Sequence, residues 1–238
     1  MTAPAPRLFA AHAYGVTLGR RKILQAASIW ASPGKVTVLF GRNGCGKTTL
    51  IRCALGLIRA EYGSTHFDGV AYPRPQLGIM ARRGLFYLPD RTFLPRRGRI
   101  RALLDIVGRV HGTSDQVDGL METLGVADLG GATAVRLSGG EQRRCEWVAT
   151  LLSNANCIIA DEPLAGIEPA DRDVLSAALR DAAVGGAAIL VTGHDVEPLL
   201  AVSDEVVWMT AGTTHGLGTP DQARSHDQFR REYLGPRG

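Results

Sequence analysis

Two separate stretches of this sequence carry residues able to hold an anion. The first, GRNGCGKTT from Gly41 to Thr49, matches G-x-x-x-x-G-K-[ST]. Gly41, Gly44 and Gly46 let successive backbone N–H groups turn inward on phosphates. Lys47 can neutralise the β/γ oxygens, and the Thr48 hydroxyl can ligate Mg²⁺. Asn43 tolerates turn geometry, Cys45 is small enough for the loop interior, and Arg42 and Thr49 complete the run. The second stretch, RLSGGEQRR, joins Ser138 and Glu141 in a capping box. A bare cap does not need Gly139 and Gly140, each of which costs up to ~1 kcal/mol against alanine in a helix. Close approach of a ligand is the better reason for them, because an unobstructed helix N-terminus offers N–H groups and the positive dipole end to a phosphate.

Acid–base groups come later in the chain. CIIADEP is an apolar run closing on Asp161 and Glu162. Asp161 can hold a water of a Mg²⁺ shell and Glu162 can polarise an attacking water, and the carboxyl end of a strand is where an open α/β sheet does its chemistry. A simple turn would also explain Asp-Glu-Pro; the glycine loop upstream favours the chemical reading. His194 follows the apolar run AAILVT and could donate to a γ-phosphate, although a lone histidine equally fits a structural role.

These residues need a scaffold, and the pattern supplies one. Residues 35–40 form a β-rich run ending at the glycine loop, and TTLIRCALGL after Lys47 has helical spacing: strand, loop, helix. Short apolar runs at 85–88, 157–160, 187–191 and 206–209 predict buried parallel strands. Their alternation with helical segments such as 169–184 predicts an α/β sheet. Over 91–156 the pattern predicts helices at about 100–111, 116–124 and 141–152 with no strand between them, hence a helical lobe inserted into a sheet domain made of 1–90 and 157–238. The first eight residues and the closing GPRG are expected to be loosely held.

The 238 residues suffice for one large domain or one with an inserted lobe. With 45% hydrophobic and 21% charged residues, the composition excludes a disordered chain. No stretch approaches the ~20 apolar residues of a membrane span, and MTAPAPRLFA lacks the apolar run of a secretory signal, so a cytosolic location is expected. Cys45, Cys53, Cys145 and Cys157 show neither CxxC nor Cys/His spacing, which argues against a disulfide framework or zinc site. The balance of 27 Lys+Arg against 23 Asp+Glu leaves only +4. Arg82, Arg83, Arg91, Arg96, Arg97, Arg99 and Arg101 nonetheless cluster; a solvated face, an acidic partner, lipid headgroups or nucleic acid would each account for that. Little aromatic interleaving accompanies them, so nucleic acid is not expected as a partner.

Taken in order, GRNGCGKTT, LSGGE, CIIADEP and TGHD resemble the Walker A, signature, Walker B and switch-histidine motifs of the nucleotide-binding domain of ABC-type ATPases, over nearly the whole chain. DEPLAGIEP, GHDVEPLLAVSDEV and REYLG look within that family like the ATPases of branched-chain amino acid importers and lipopolysaccharide export. The resemblance implies a P-loop NTPase fold: a RecA-like mixed sheet core, an N-terminal antiparallel β lobe and an inserted α-helical lobe. It implies ATP and Mg²⁺ as cofactors, with Lys47, Glu162 and His194 catalytic and Thr48 and Asp161 on the metal. It further implies a head-to-tail homodimer, or a pair with a related ATPase subunit, in which Ser138, Gly139, Gly140 and Glu141 close on the ATP of the facing subunit. Separate transmembrane permease subunits would then hold the chain on the inner face of the cell membrane. A soluble ABC ATPase acting on a protein assembly or nucleic acid, or a slow nucleotide-sensing module, are the alternatives.

Three positions depart from the family. Asp90 stands where glutamine is usual; it can still take a Mg²⁺ water but adds negative charge near the γ-phosphate, or it is only a turn residue after Pro89. Leu18 stands where an aromatic ring usually stacks on adenine, and Tyr14 lies too far along a strand, on the order of 13 Å, to replace it. Glu168 replaces the aspartate usual after Walker B, a mild change.

Overall fold

The computed structural model describes residues 7–164 and 166–234. In chain order these form β1 (Phe9–Leu18), β2 (Arg21–Ala31), β3 (Val36–Gly41), α1 (Lys47–Ala54), β4 (Tyr62–Phe67), β5 (Val70–Tyr72), α2 (Leu77–Ala81) and β6 (Leu85–Leu88). The helices α3 (Ile100–His111), α4 (Val117–Thr123) and α5 (Gly139–Leu152) follow. The chain then continues through β7 (Cys157–Ala160), α6 (Pro169–Val184), β8 (Ala188–Gly193), α7 (Val196–Val202), β9 (Glu205–Thr210), β10 (Thr213–Gly218), α8 (Pro220–Ser225) and α9 (Asp227–Tyr233).

A six-stranded sheet runs in the order β10-β9-β3-β8-β7-β6. It is parallel throughout except for β10, which turns back on β9. Alternating side chains explain why both faces are covered. Val36, Val38 and Phe40 of β3 point into one cluster with Ile158, Ile189 and Trp147, whereas Leu39 points into the other with Ile159, Leu190 and the α1 residues Leu50 and Ile51. The first cluster runs on without a break into Ile100, Leu104, Val117 and Met121 of α3 and α4, so the helical segment shares the core of the sheet. Between β6 and β7 the only strand-like pairing among the described residues is one bridge, Arg99 to Thr133.

The second sheet, β2-β1-β4-β5, is antiparallel. Its strands left no clean alternation in the sequence because the β1–β2 register shifts repeatedly, and Ala13 and Ala26 adopt φ of 49° and 56°. Strand 187–191 extends further than its apolar run suggested: Thr192 and Gly193 stay in the ladder because Gly193 pairs with Phe40 of β3. The chain start is also firmer than expected, since Leu8 N–H donates to Ala31 O at 3.0 Å and Leu8 O accepts from Asp68 N–H at 2.9 Å. Residues 1–6 and the closing GPRG lie outside the described residues.

All four cysteines are free thiols. Burial pushes Cys53 up to about 11 and Cys145 up to about 12 and raises Cys157, so these are inert core residues. The arginine cluster is partly neutralised, with Arg83 paired to Asp68 and Arg101 to Asp105 and Asp118.

Candidate nucleotide site

The phosphate loop leaves β3 at Gly41 and enters α1 at Lys47. Gly46 has φ 116°, and a Cβ there would lie 2.9 Å from Met209, so only glycine serves. No side chain caps α1 and no acid stands in its first turn, which leaves its N–H groups available to an anion. Lys47 is 5% exposed; its Nζ donates to Gly41 O at 2.6 Å and stands 3.4 Å from Glu162 Oε1. A cleft of about 340 Å³ opens here, lined by Ile23, Asn43, Gly44, Gly46, Lys47, Thr48, Thr49 and Glu162. The exposed Arg42 has its carbonyl bonded by Cys45 N–H at 3.1 Å, and the Cys45 thiol, raised by burial, lies against the loop base.

Asp161 and Glu162 arrive from β7. Asp161 is fully buried; its N–H donates to Leu88 O at 2.8 Å and its Oδ1 accepts from the Thr192 hydroxyl at 2.6 Å. Burial raises its pKa; the Thr192 and Thr48 hydroxyls oppose this, and the charges of Asp90 and Glu162 reinforce it. Its Oδ2 is buried without a hydrogen-bond partner, a costly arrangement unless a cation or water supplies the missing contact. Glu162 has φ 51°, unusual for a side-chain-bearing residue, and its N–H donates to Thr192 Oγ1 at 2.9 Å. Its second carboxylate oxygen meets His194 Nδ1 at 2.9 Å, so Glu162 is held between Lys47 and His194.

The remaining expected residues are placed as follows. Asp90, after β6, is bound by Arg52 of α1 at 2.8 Å. Leu18 ends β1, is 45% exposed and does not line the phosphate cleft; Ile23 does. Tyr14 is buried with its hydroxyl on Thr65 Oγ1 at 2.7 Å, so its ring is not offered to a base. Discrimination between ATP and GTP is therefore expected to be weak, with dissociation constants within about threefold of each other by equilibrium titration. A tenfold or greater preference for ATP would show that another group reads the base.

The signature stretch forms the expected capping box: Glu141 N–H donates to Ser138 Oγ at 3.2 Å and Ser138 N–H to Glu141 Oε2 at 2.7 Å. Those bonds lower the Glu141 pKa. A Cβ on Gly139 would meet nothing within 4 Å, and one on Gly140 would lie 3.6 Å from Gly166 O. None of the four signature residues lines the phosphate cleft of the same chain.

Three residues that hold this site together escaped the sequence. Thr192 bridges Asp161 and Glu162. Arg52 neutralises Asp90. Arg143, 5% exposed, donates to Pro89 O (2.8 Å), Asp161 O (3.3 Å) and Glu162 O (3.2 Å) while pairing with Glu146 at 3.0 Å. Glu146, 2% exposed, in turn accepts Phe93 N–H at 2.9 Å. The signal for Thr192 was its place at the end of a β8 run adjacent to β7; Arg143 had only its spacing from Glu146 on one helix.

A glycine loop between a parallel strand and a helix, with a buried lysine facing an acidic strand end, defines a P-loop nucleotide hydrolase. A family profile described as ABC transporter matches residues 24–165. The lipopolysaccharide export ATP-binding protein LptB of Haemophilus influenzae is 30% identical over 221 residues, covering 90% of this chain and 92% of its own; LptB of Escherichia coli is 31% identical over 224 residues, with 90% and 92% covered. A solved ADP-conformation cassette of an ABC transporter shares the fold at TM-score 0.81 and 20% identity, covering 98% of this chain and 100% of that one. This chain belongs to the ABC transporter family and is an ATP-binding, ATP-hydrolysing subunit. No helix among the described residues is long and apolar enough to cross a membrane.

Proposed function

We propose that the chain hydrolyses ATP in a head-to-tail pair and so drives separate membrane-spanning permease subunits, against which it sits on the cytoplasmic face. Lys47 and the loop N–H groups hold the phosphates, Glu162 acts as general base on the attacking water, and His194 orients Glu162 and donates to the γ-phosphate. Mg²⁺ fits the residues present: the buried Asp161 Oδ2 would supply an anionic oxygen, and the Thr48 hydroxyl, near enough to Asp161 to lower its pKa, would supply a second ligand; Mg²⁺ is ordinarily held by one or two protein groups plus phosphates. When bound, the ion would offset the charge that builds on the phosphates.

The observation that carries the paired arrangement is the signature helix end. It is capped, free of side chains at Gly139, and absent from the phosphate cleft of its own chain. An anion site unused within one chain is explained by a facing chain. Ser138→Arg tests this: ATP binding by the monomer should stay within about twofold, while light scattering shows no nucleotide-induced dimer and turnover falls on the order of 100-fold. Loss of monomer binding would return the signature to a local role.

A further inference from the structure

Three carboxylates, Asp90, Asp161 and Glu162, gather at the ends of β6 and β7, and their cations are unequally shared. Glu162 has Lys47 at 3.4 Å and Asp90 has Arg52 at 2.8 Å. The Asp161 carboxylate has no cationic nitrogen within 4.0 Å among the described residues, and its Oδ2 is without a hydrogen-bond partner. Arg52 follows Thr48 by four residues on α1, so both side chains leave the same helix face. Asp90 and Asp161 end adjacent strands, tied by the Asp161 N–H to Leu88 O bond, and the charge of Asp90 is felt at Asp161. Arg143 fixes the carbonyl just before Asp90, which leaves the side chain as the movable part.

We propose that Arg52 is a positioning residue for the nucleotide reaction: its ion pair with Asp90 cancels a carboxylate that would otherwise repel the terminal phosphate of ATP, and keeps that carboxylate out of the metal's shell. The inference rests on the site reading above, in which Asp161 and Thr48 face the metal. It explains how an acid is tolerated at position 90. The Asp90 charge is compensated within the chain, and the single uncompensated carboxylate, Asp161, is the one left to a cation.

The test is equilibrium binding of ATP and ADP, first in EDTA and then with Mg²⁺, to the wild type, Arg52→Met, Asp90→Asn, the double variant and Arg52→Lys. In EDTA, Arg52→Met should lose about fivefold or more in ATP affinity, a coupling of the size expected for contacting charges. ADP, whose charge ends one phosphate earlier, should lose clearly less, and Mg²⁺ should recover part of the ATP loss. In the Asp90→Asn background the same substitution should change ATP affinity by no more than about twofold, and Arg52→Lys should bind like the wild type. Arg52 is one-third exposed, so the fold should survive; should the methionine variant melt early, Arg52→Gln carries the same test. An equal loss with and without Asp90, an equal loss for ATP and ADP, or no loss would overturn the proposal. A wild type that binds no ATP would instead overturn the site reading beneath it.

Discussion

Glu162→Gln is expected to bind ATP about as well as the wild type while turning it over on the order of 10²–10⁴-fold more slowly. The carboxylate is held in place: Lys47 and His194 contact its two oxygens, and Thr192 fixes the backbone in the positive-φ turn that carries it. Glutamine has nearly the same shape but cannot accept a proton from water. The phosphate loop is untouched, and one negative charge is removed beside the phosphates, so binding should hold or tighten. In the paired arrangement the stalled protein should accumulate as a nucleotide-bound dimer, visible by light scattering, while phosphate release measures turnover. Turnover equal to the wild type would remove Glu162 from the reaction.

Arg143→Met should destabilise the fold by about 3–5 kcal/mol, because removing one member of a buried ion pair leaves the other charge unpaired. At this chain length that corresponds to a melting temperature lower by roughly 6–20 °C. The guanidinium ties together the end of β6, the end of β7 and α5 through three carbonyls and Glu146, and Glu146 itself holds Phe93 N–H. Glu146→Leu in the same chain should recover part of the loss, since it removes the unpaired charge while Phe93 N–H and the three carbonyls stay without their partners. A single variant that melts within about 2 °C of the wild type, less than 1 kcal/mol at this size, would show the pair to be dispensable. Activity carries a second readout: the carbonyls of Asp161 and Glu162 lose their donor, so the refolded double variant should remain slower than the wild type even where its stability is partly restored.

The two effects differ in what the chain shows beforehand. Glu162 stands out in the sequence because an apolar run ending in two acids is a local pattern. Arg143 does not, because a second arginine follows it and nothing local says which one is buried. In the structure Arg143 turns inward to Glu146 while Arg144 reaches Asp171 nearer the surface. The antiparallel sheet was similarly hidden: it was expected from resemblance to a family, since bulges in β1 and β2 erase the alternation that would announce it. Asp90 was visible as a departure, but the Arg52 beside it was not, as the two are distant in sequence and meet only across the loop and strands between them.

By itself the sequence determined the phosphate loop, the signature cap, the acidic strand end and the strand and helix succession around them. Each of those depends on residues a few positions apart, whose steric limits, hydrogen-bond reach and side-chain periodicity act within one turn or one strand. Only the tertiary structure decided which carboxylate receives which cation, that Thr192 serves both Asp161 and Glu162, and that the signature end stands apart from the cleft of its own chain. Those outcomes follow from the strand order β3-β8-β7-β6, which sets distances between groups far apart in the chain. Ion pairing and burial respond to that distance, and sequence separation carries no record of it.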